Sequence, residues 1–176
     1  MKILTFDRYP IAYVEFTTND DKLENLMLSL YFMGCDKNPK CKGCHNPHLW
    51  TQRGPWIDGE QLEYWLFGEP MQLAAGIVLM GGEPLAIHNR KFTKEIIRSF
   101  KEYYKQKRRV VVYTWREEEE TKEILKDIFD LVDAFKFGPW IQELATNGIP
   151  ASRNQRWKEN ESARYYIAKP EFIYKL

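Results

Sequence analysis

Short apolar runs alternate along the chain with amphipathic stretches, and this alternation predicts the secondary structure. Continuous apolar runs, typical of buried β-strands, occupy residues 26–33, 75–80, 109–113 and 131–137. Residues 12–17 alternate enough between apolar and polar side chains to predict one further strand, followed by a turn at residues 19–21. The tail that begins at Gly138 has no regular pattern.

Three amphipathic stretches between the apolar runs predict helices. The first begins at Asp58, with Gln61 three residues later and apolar side chains at helical spacing. The second covers about residues 90–107, where apolar side chains form a stripe of helical period. For the third, Thr114 and Glu117 are spaced as a capping box. The apolar stripe of this third helix consists of Ile124, Leu125, Ile128 and Phe129.

The alternation of strands and helices predicts an α/β fold with a mostly parallel sheet. In such sheets ligands bind at the carboxyl ends of the strands. Cys35 follows the run at 26–33, the Gly81–Gly82–Glu83 segment follows the run at 75–80, and Thr114 follows the run at 109–113. These residues are therefore expected to lie together on one edge of the sheet.

Length and charge narrow the class of protein. The 176 residues are enough for about one domain, taken as 1–176, with its own core. With 26 Lys and Arg against 25 Asp and Glu, the chain has no electrostatic signature of nucleic-acid or anionic-membrane binding. The N-terminus lacks the features of a signal peptide, and no apolar stretch is long enough to cross a bilayer. A cytoplasmic protein without a nucleic-acid or membrane partner is expected.

The cysteines are the strongest chemical signal. The chain has three, Cys35, Cys41 and Cys44, at the start of a long loop at residues 35–55 that is rich in Gly, Pro, Asn and Lys. An odd number of clustered thiols in a cytoplasmic protein indicates metal binding or redox chemistry. The spacing fits a zinc site completed by His45 or His48, and it equally fits a [4Fe–4S] cluster with one iron left open.

A glycine pair supplies a second signal. Gly81 and Gly82 follow a buried strand, where the backbone can approach a ligand closely, and Glu83 beside them can bind an ammonium group. Together with the cysteine loop, this segment resembles the radical S-adenosylmethionine (SAM) superfamily, and more closely its activating proteins of anaerobic ribonucleoside-triphosphate reductase. The matching stretches lie at residues 30–50, 78–85, 110–114, 132–144 and 152–157, in the family's order.

The resemblance implies specific roles. Cys35, Cys41 and Cys44 would each ligate one iron of a [4Fe–4S] cluster, and SAM would chelate the fourth iron. Gly81, Gly82 and Glu83 would contact the methionine part of SAM, with Glu83 near its amino group, and Thr114 would also bind the cofactor. The implied fold is a shortened, open partial (βα) barrel of the radical SAM type. The implied partners are the large glycyl-radical subunit of the reductase and an electron donor such as flavodoxin or ferredoxin. No catalytic side chain is assigned.

Three departures from the family pattern accompany the resemblance. The first gap between cysteines is five residues instead of three, so residues 36–40 are expected to bulge outward. The family often has Asp-Gly where this chain has Phe137–Gly138, and it often has Gly at the position of Trp115; neither Phe137 nor Trp115 is assigned a role. The alternatives are an activase of another glycyl-radical enzyme, a radical SAM enzyme acting on a small molecule, and a zinc-stapled binding module.

Overall fold

A six-stranded sheet with three helices forms the framework of the protein. The computed structural model describes residues 2–20, 26–148 and 150–161. The strands are β1 (Arg8–Tyr9), β2 (Ile11–Thr17), β3 (Met27–Phe32), β4 (Ile57–Asp58), β5 (Gly76–Gly81), β6 (Arg109–Thr114), β7 (Ala134–Phe137) and β8 (Arg156–Glu159). The α-helices are α1 (Gly59–Phe67), α2 (Arg90–Tyr104) and α3 (Glu118–Leu125), and short 3₁₀ turns connect several elements. Within the described ranges, no helix combines the length and the apolar character needed to cross a membrane.

The order of the strands confirms the predicted α/β class. The main sheet runs β2-β3-β5-β6-β7-β8, and β1 pairs separately with β4. The pairs β3–β5, β5–β6 and β6–β7 are parallel, whereas β2 and β8 join the two ends of the sheet in antiparallel fashion. A mostly parallel sheet was expected from the apolar runs. The closer assignment, a partial barrel of the radical SAM type, stays a prediction.

The two faces of the sheet are packed differently. On the face that we call the helix face, alternate strand residues pack with the apolar sides of α1, α2 and α3 in one large core. Leu30, Leu79 and Val112 represent this face, and each is fully buried. The residues between them in sequence point to the opposite face, which we call the cavity face. The cavity face carries a smaller apolar cluster around Val78 and Val111, bordered by Met80, Tyr113 and Trp157.

Two predicted elements differ from the structure. Thr114 does not cap a helix: it is the last residue of β6, and α3 begins after Glu117, whose side chain makes no capping hydrogen bond. The reason is that the backbone N–H of Arg116 donates to the Thr114 hydroxyl (3.1 Å), which holds residues 114–116 as a turn. The strand predicted at 131–137 begins only at Ala134, because a 3₁₀ turn extends through Leu131.

The edge of the sheet opposite the predicted ligand edge is held by buried ion pairs. Arg109, the first residue of β6, binds Asp20 (Nε to Oδ2, 2.5 Å) and the Glu159 carboxylate (Nη1 to Oε2, 2.9 Å). Next to it, the fully buried Lys101 ammonium binds Asp133 (2.5 Å) and the backbone carbonyl of Arg108 (2.9 Å). These contacts join four separate segments of the chain at the amino ends of the parallel strands.

Candidate functional site

A cavity of about 310 Å³ opens at the carboxyl ends of the parallel strands. All the residues predicted to bind metal or cofactor line it: Cys35, Cys41, Cys44, Gly81, Gly82, Glu83 and Thr114. The register explains the meeting, because Phe32 of β3 lies beside Gly81 of β5, and Thr114 of β6 lies beside Phe137 of β7. The expectation that these residues lie on one edge of the sheet is confirmed.

The cysteine loop is anchored at its start and tightened at its end. The backbone N–H groups of Gly34 and Cys35 donate to the carbonyls of Leu49 (2.7 Å) and Trp50 (3.0 Å), which fixes Cys35 at the end of β3. The N–H of Cys44 donates to the carbonyl of Cys41 (3.2 Å), so these two thiols belong to one tight turn. The three thiols are free and partly exposed. Burial raises the pKa of the Cys35 thiol above its ordinary value.

The five-residue spacer between Cys35 and Cys41 extends outward, as predicted, with Asn38 and Pro39 exposed at its tip. Its first residue, Asp36, turns back and binds Arg116 (Oδ2 to Nη2, 2.5 Å). Burial alone would raise the pKa of Asp36, but the hydrogen bond and the charge of Arg116 outweigh it, so the pKa lies below its ordinary value. The longer spacer is therefore attached to the body of the protein at its base.

Gly82 packs directly against the backbone of the cysteine loop, and Gly81 packs against the backbone of β3 at Phe32. Gly81 has a φ of +105°, and a Cβ on Gly82 would lie 2.5 Å from the carbonyl oxygen of Gly34 and 2.6 Å from that of Leu49. The neighbouring N–H of Glu83 donates to the carbonyl of Gly34 (2.8 Å). Because side chains lack space at both glycines, the sequence Gly-Gly allows the β5 turn to touch the loop that carries the thiols.

Glu83 joins two strand ends. Its carboxylate is almost completely buried and accepts hydrogen bonds from the backbone N–H groups of Leu85 (2.9 Å) and Trp115 (3.0 Å). Arg116 lies 3.7 Å away, from Nη1 to Oε1. Burial raises the pKa of Glu83 to about 7, although Arg116 and the two N–H groups oppose the shift. The predicted role of Glu83 toward the amino group of a ligand stays a prediction, as does the cofactor-binding role of Thr114.

The comparisons with known proteins add a family to this geometry. The sequence profile of the 4Fe-4S single cluster domain family matches residues 24–158. The chain belongs to this family. A comparison with curated proteins finds no match. All three cysteines of the chain lie inside the matched residues, so this 4Fe–4S protein can offer at most three thiolate ligands.

The two metal sites expected as alternatives, a [4Fe–4S] cluster and a zinc ion, would both use the three thiols, and the zinc ion would add His45 or His48. In the described ranges, no three His, Cys, Asp or Glu side chains converge as donors around one metal ion. A cluster spreads its thiolates over different irons, so its ligands can line a cavity wall at larger separations. His45 borders the cavity and packs on Trp140 (4.3 Å between ring centroids), whereas His48 lies parallel to Tyr13 on the far side of the loop (6.4 Å).

Three residues in or beside the cavity were not expected from the sequence. Arg116 connects Asp36 with Glu83, and fully buried Asn89 donates through Nδ2 to the carbonyls of Met33 and Glu83, both at 3.0 Å. The third residue is Lys136, which enters the cavity from β7. The sequence does contain a signal for Lys136, because it is the one charged side chain in β7, a strand whose other side chains are apolar.

The segment after β7 forms a further wall of the cavity. Trp140, Gly148, Ala151 and Gln155 belong to its lining. Gln155 holds this segment in place by donating to the carbonyl of Gly138 (3.0 Å) and accepting from the N–H of Ser152 (3.2 Å). The irregular tail predicted from Gly138 therefore contributes a wall of the site, and a short strand, β8, follows it.

Proposed function

We propose that this 4Fe–4S protein is a radical SAM activase that generates a glycyl radical on the large subunit of an anaerobic ribonucleoside-triphosphate reductase. The observation that supports the proposal is the meeting of the three thiols with the Gly81–Gly82–Glu83 turn in one cavity. Three thiolates leave one iron of a [4Fe–4S] cluster without a protein ligand. The adjacent turn offers backbone that a small polar co-substrate can approach.

The cluster and SAM would supply the chemistry. One electron from the reduced cluster would cleave the sulfonium bond of SAM to give methionine and a 5′-deoxyadenosyl radical, which takes a hydrogen atom from a glycine Cα of the partner and leaves as 5′-deoxyadenosine. A flavodoxin or a ferredoxin would return the electron. The protein itself would bind and orient these groups and exclude competing reactions.

The residues around the cavity suit these tasks. Cys35, Cys41 and Cys44 would hold three irons, and Gly81 and Gly82 would admit the methionine part of SAM. The cavity volume of about 310 Å³ lies at the lower end of the range for small-ligand sites. Its aromatic walls, Trp50, Trp115 and Trp140, would limit the access of water to a radical. In the described ranges the sheet has four mutually parallel strands, β3, β5, β6 and β7, and a sheet of this width would give a peptide loop of a partner access to the reacting atoms.

The first test is electron paramagnetic resonance on anaerobically reconstituted, dithionite-reduced protein with and without SAM. We expect a [4Fe–4S]⁺ signal that changes when SAM is added. A tightly bound zinc ion in place of a paramagnetic cluster would refute the proposal and identify a metal-stapled binding module.

The second test uses matched variants of the cysteine loop. Cys41→Ala should abolish reductive SAM cleavage and lower the iron content, while most of the α/β fold remains. Lys42→Ala is the control, because the neighbouring Lys42 is exposed and makes only a surface contact with Glu143. Retained cleavage in Cys41→Ala would contradict the cluster assignment. Wild-type SAM cleavage without a glycyl radical on the reductase subunit would assign the activase to another target.

A further inference from the structure

Lys136 lies on the floor of the cavity. On the cavity face, Tyr113 of β6 pairs in register with Lys136 of β7, which pairs with Trp157 of β8. On the other side of the floor, Tyr31 of β3 pairs with Met80 of β5. The row is otherwise aromatic or apolar, and the Lys136 ammonium stands 4.3 Å from the centre of the Tyr113 ring. Lys136 is thus a cation among apolar and aromatic neighbours, close to the carboxyl ends of the parallel strands.

In the described ranges, the Lys136 ammonium contacts the Tyr113 ring, and it makes no hydrogen bond or ion pair there. The side chain is partly exposed to the cavity, and its burial lowers the pKa of Lys136 to about 8. The Glu83 carboxylate and the Cys41 thiol are the groups that oppose this shift. A partly buried charge without a carboxylate in ion-pair contact is unfavourable in a folded protein, so an anion bound in the cavity is expected to balance it.

The other charges near the cavity already have partners. Arg116 binds Asp36, Glu83 and Glu120, so its positive charge is neutralised by carboxylates. Lys37 donates to the carbonyl of Pro39 (2.8 Å), and Lys40 donates to that of Cys35. Lys136 is therefore the cation that the sheet itself contributes to the cavity, and the Cys41 thiol is the cysteine whose charge acts on it.

We propose that Lys136 supplies a positive counter-charge to the cluster, and that this charge raises the reduction potential of the cluster. A [4Fe–4S] cluster with three thiolates is anionic, and it gains one more negative charge on reduction. A fixed cation in the same water-poor cavity stabilises the reduced form more than the oxidised form, since net charge and exposure set the potential of such clusters. The inference rests on the proposed ligation of the cluster by the three cysteines and not on SAM cleavage.

The experiment is a redox titration of the cluster in Lys136→Met, followed by electron paramagnetic resonance without SAM or any partner. We expect the equilibrium constant for one-electron reduction to fall at least about tenfold, which corresponds to a midpoint potential ~59 mV lower. Lys136→Arg keeps the charge and should stay within about threefold of wild type. The control Lys158→Met removes an exposed lysine of the same sheet, which pairs with Glu118, and should leave the potential unchanged.

Two further measurements complete the test: the unfolding temperature of the apoprotein and the affinity for SAM. The apoprotein of Lys136→Met should unfold at a temperature equal to or above that of wild type, because a partly buried charge has been removed. If Lys136→Met fails to bind a cluster, the neutral variant Lys136→Gln replaces it. Equal midpoint potentials in wild type and a cluster-loaded neutral variant would overturn the proposal. An unchanged potential with weaker SAM binding would also overturn it and assign Lys136 to the co-substrate. Because SAM is absent from the titration, failure of the activase function leaves this test intact.

Discussion

Arg116 connects the cysteine loop to the Gly81–Gly82–Glu83 turn, and its replacement gives the sharpest test of how the site is held together. The guanidinium is 3% exposed and binds Asp36 at 2.5 Å and Glu120 at 3.0 Å, with Glu83 at 3.7 Å. Arg116→Met removes this positive charge but keeps most of the apolar volume. Glu83 and Asp36 are then left without their cation, one of them almost fully buried.

Removing one partner of a buried ion pair destabilises a protein by roughly 3–5 kcal/mol. Asp36 and Glu120 are 19% and 52% exposed, so water can solvate them in part, and we expect a loss of about 3 kcal/mol. For a domain of this size, 1 kcal/mol changes Tm by roughly 2–4 °C, so the expected decrease in Tm is roughly 6–12 °C.

The loss should also depend on pH. The pKa of Glu83 in the folded apoprotein is about 7, above its ordinary value of 4.5, so the folded state binds more protons between these values. Stability therefore falls as the pH rises through this window and levels off above it. Without Arg116 the pKa of Glu83 rises further, and the fall extends to higher pH. The difference between wild type and Arg116→Met should be larger at pH 8 than at pH 6.

The assay is urea unfolding of the two apoproteins at both pH values, followed by circular dichroism. Arg156→Met serves as the control, because Arg156 pairs with exposed Glu117 and its loss should change stability by less than about 1 kcal/mol. The reasoning fails if Arg116→Met is no less stable than Arg156→Met. It also fails if the stability difference is the same at pH 6 and pH 8.

Two other substitutions test the framework of the site. Gly82→Ala should destabilise the apoprotein by roughly 1–3 kcal/mol and reduce iron incorporation, because the new Cβ meets the carbonyls of Gly34 and Leu49. Gly148→Ala, whose Cβ would lie 4.0 Å from the Thr146 hydroxyl, is the control for stability and should leave it unchanged. Lys101→Met should lower the free energy of unfolding in urea by about 3–5 kcal/mol, because it leaves the Asp133 carboxylate without its ion-pair partner. Asp133→Asn in the same chain should restore part of the lost stability. A Lys101→Met variant as stable as wild type would contradict the ion-pair assignment.

The sequence predicts the parallel strands and the edge where the site forms, because both depend on local pattern. A buried parallel strand needs a continuous apolar run, and chemistry-bearing residues directly after such runs meet at one edge. The cysteines and the Gly81–Gly82 pair were found in this way. The cysteine spacing alone fits a zinc site and a [4Fe–4S] cluster equally, and the 4Fe–4S family match favours the cluster.

Contacts between distant residues could not be read from the same pattern. Arg116 and Asp36 are 80 residues apart, and Asn89 and Met33 are 56 apart, so neither pair has a local signature. The capping box at Thr114 failed for a related reason. Glu83 accepts a hydrogen bond from the N–H of Trp115, so a residue from another strand end keeps the start of the predicted helix in a turn.

The ion pairs of Arg109 have a consequence for how the chain folds. Arg109 lies 89 residues after Asp20 and 50 residues before Glu159, so its guanidinium acquires all its partners only when both ends of the described chain have arrived. A nascent chain that stops before β8 would hold Arg109 with half of its counter-charge missing. Removal of β8 is therefore expected to lower the stability of the fold in two ways, because the sheet loses its edge strand and the buried Arg109 loses a counter-charge. Formation of the complete sheet is cooperative for the same reason.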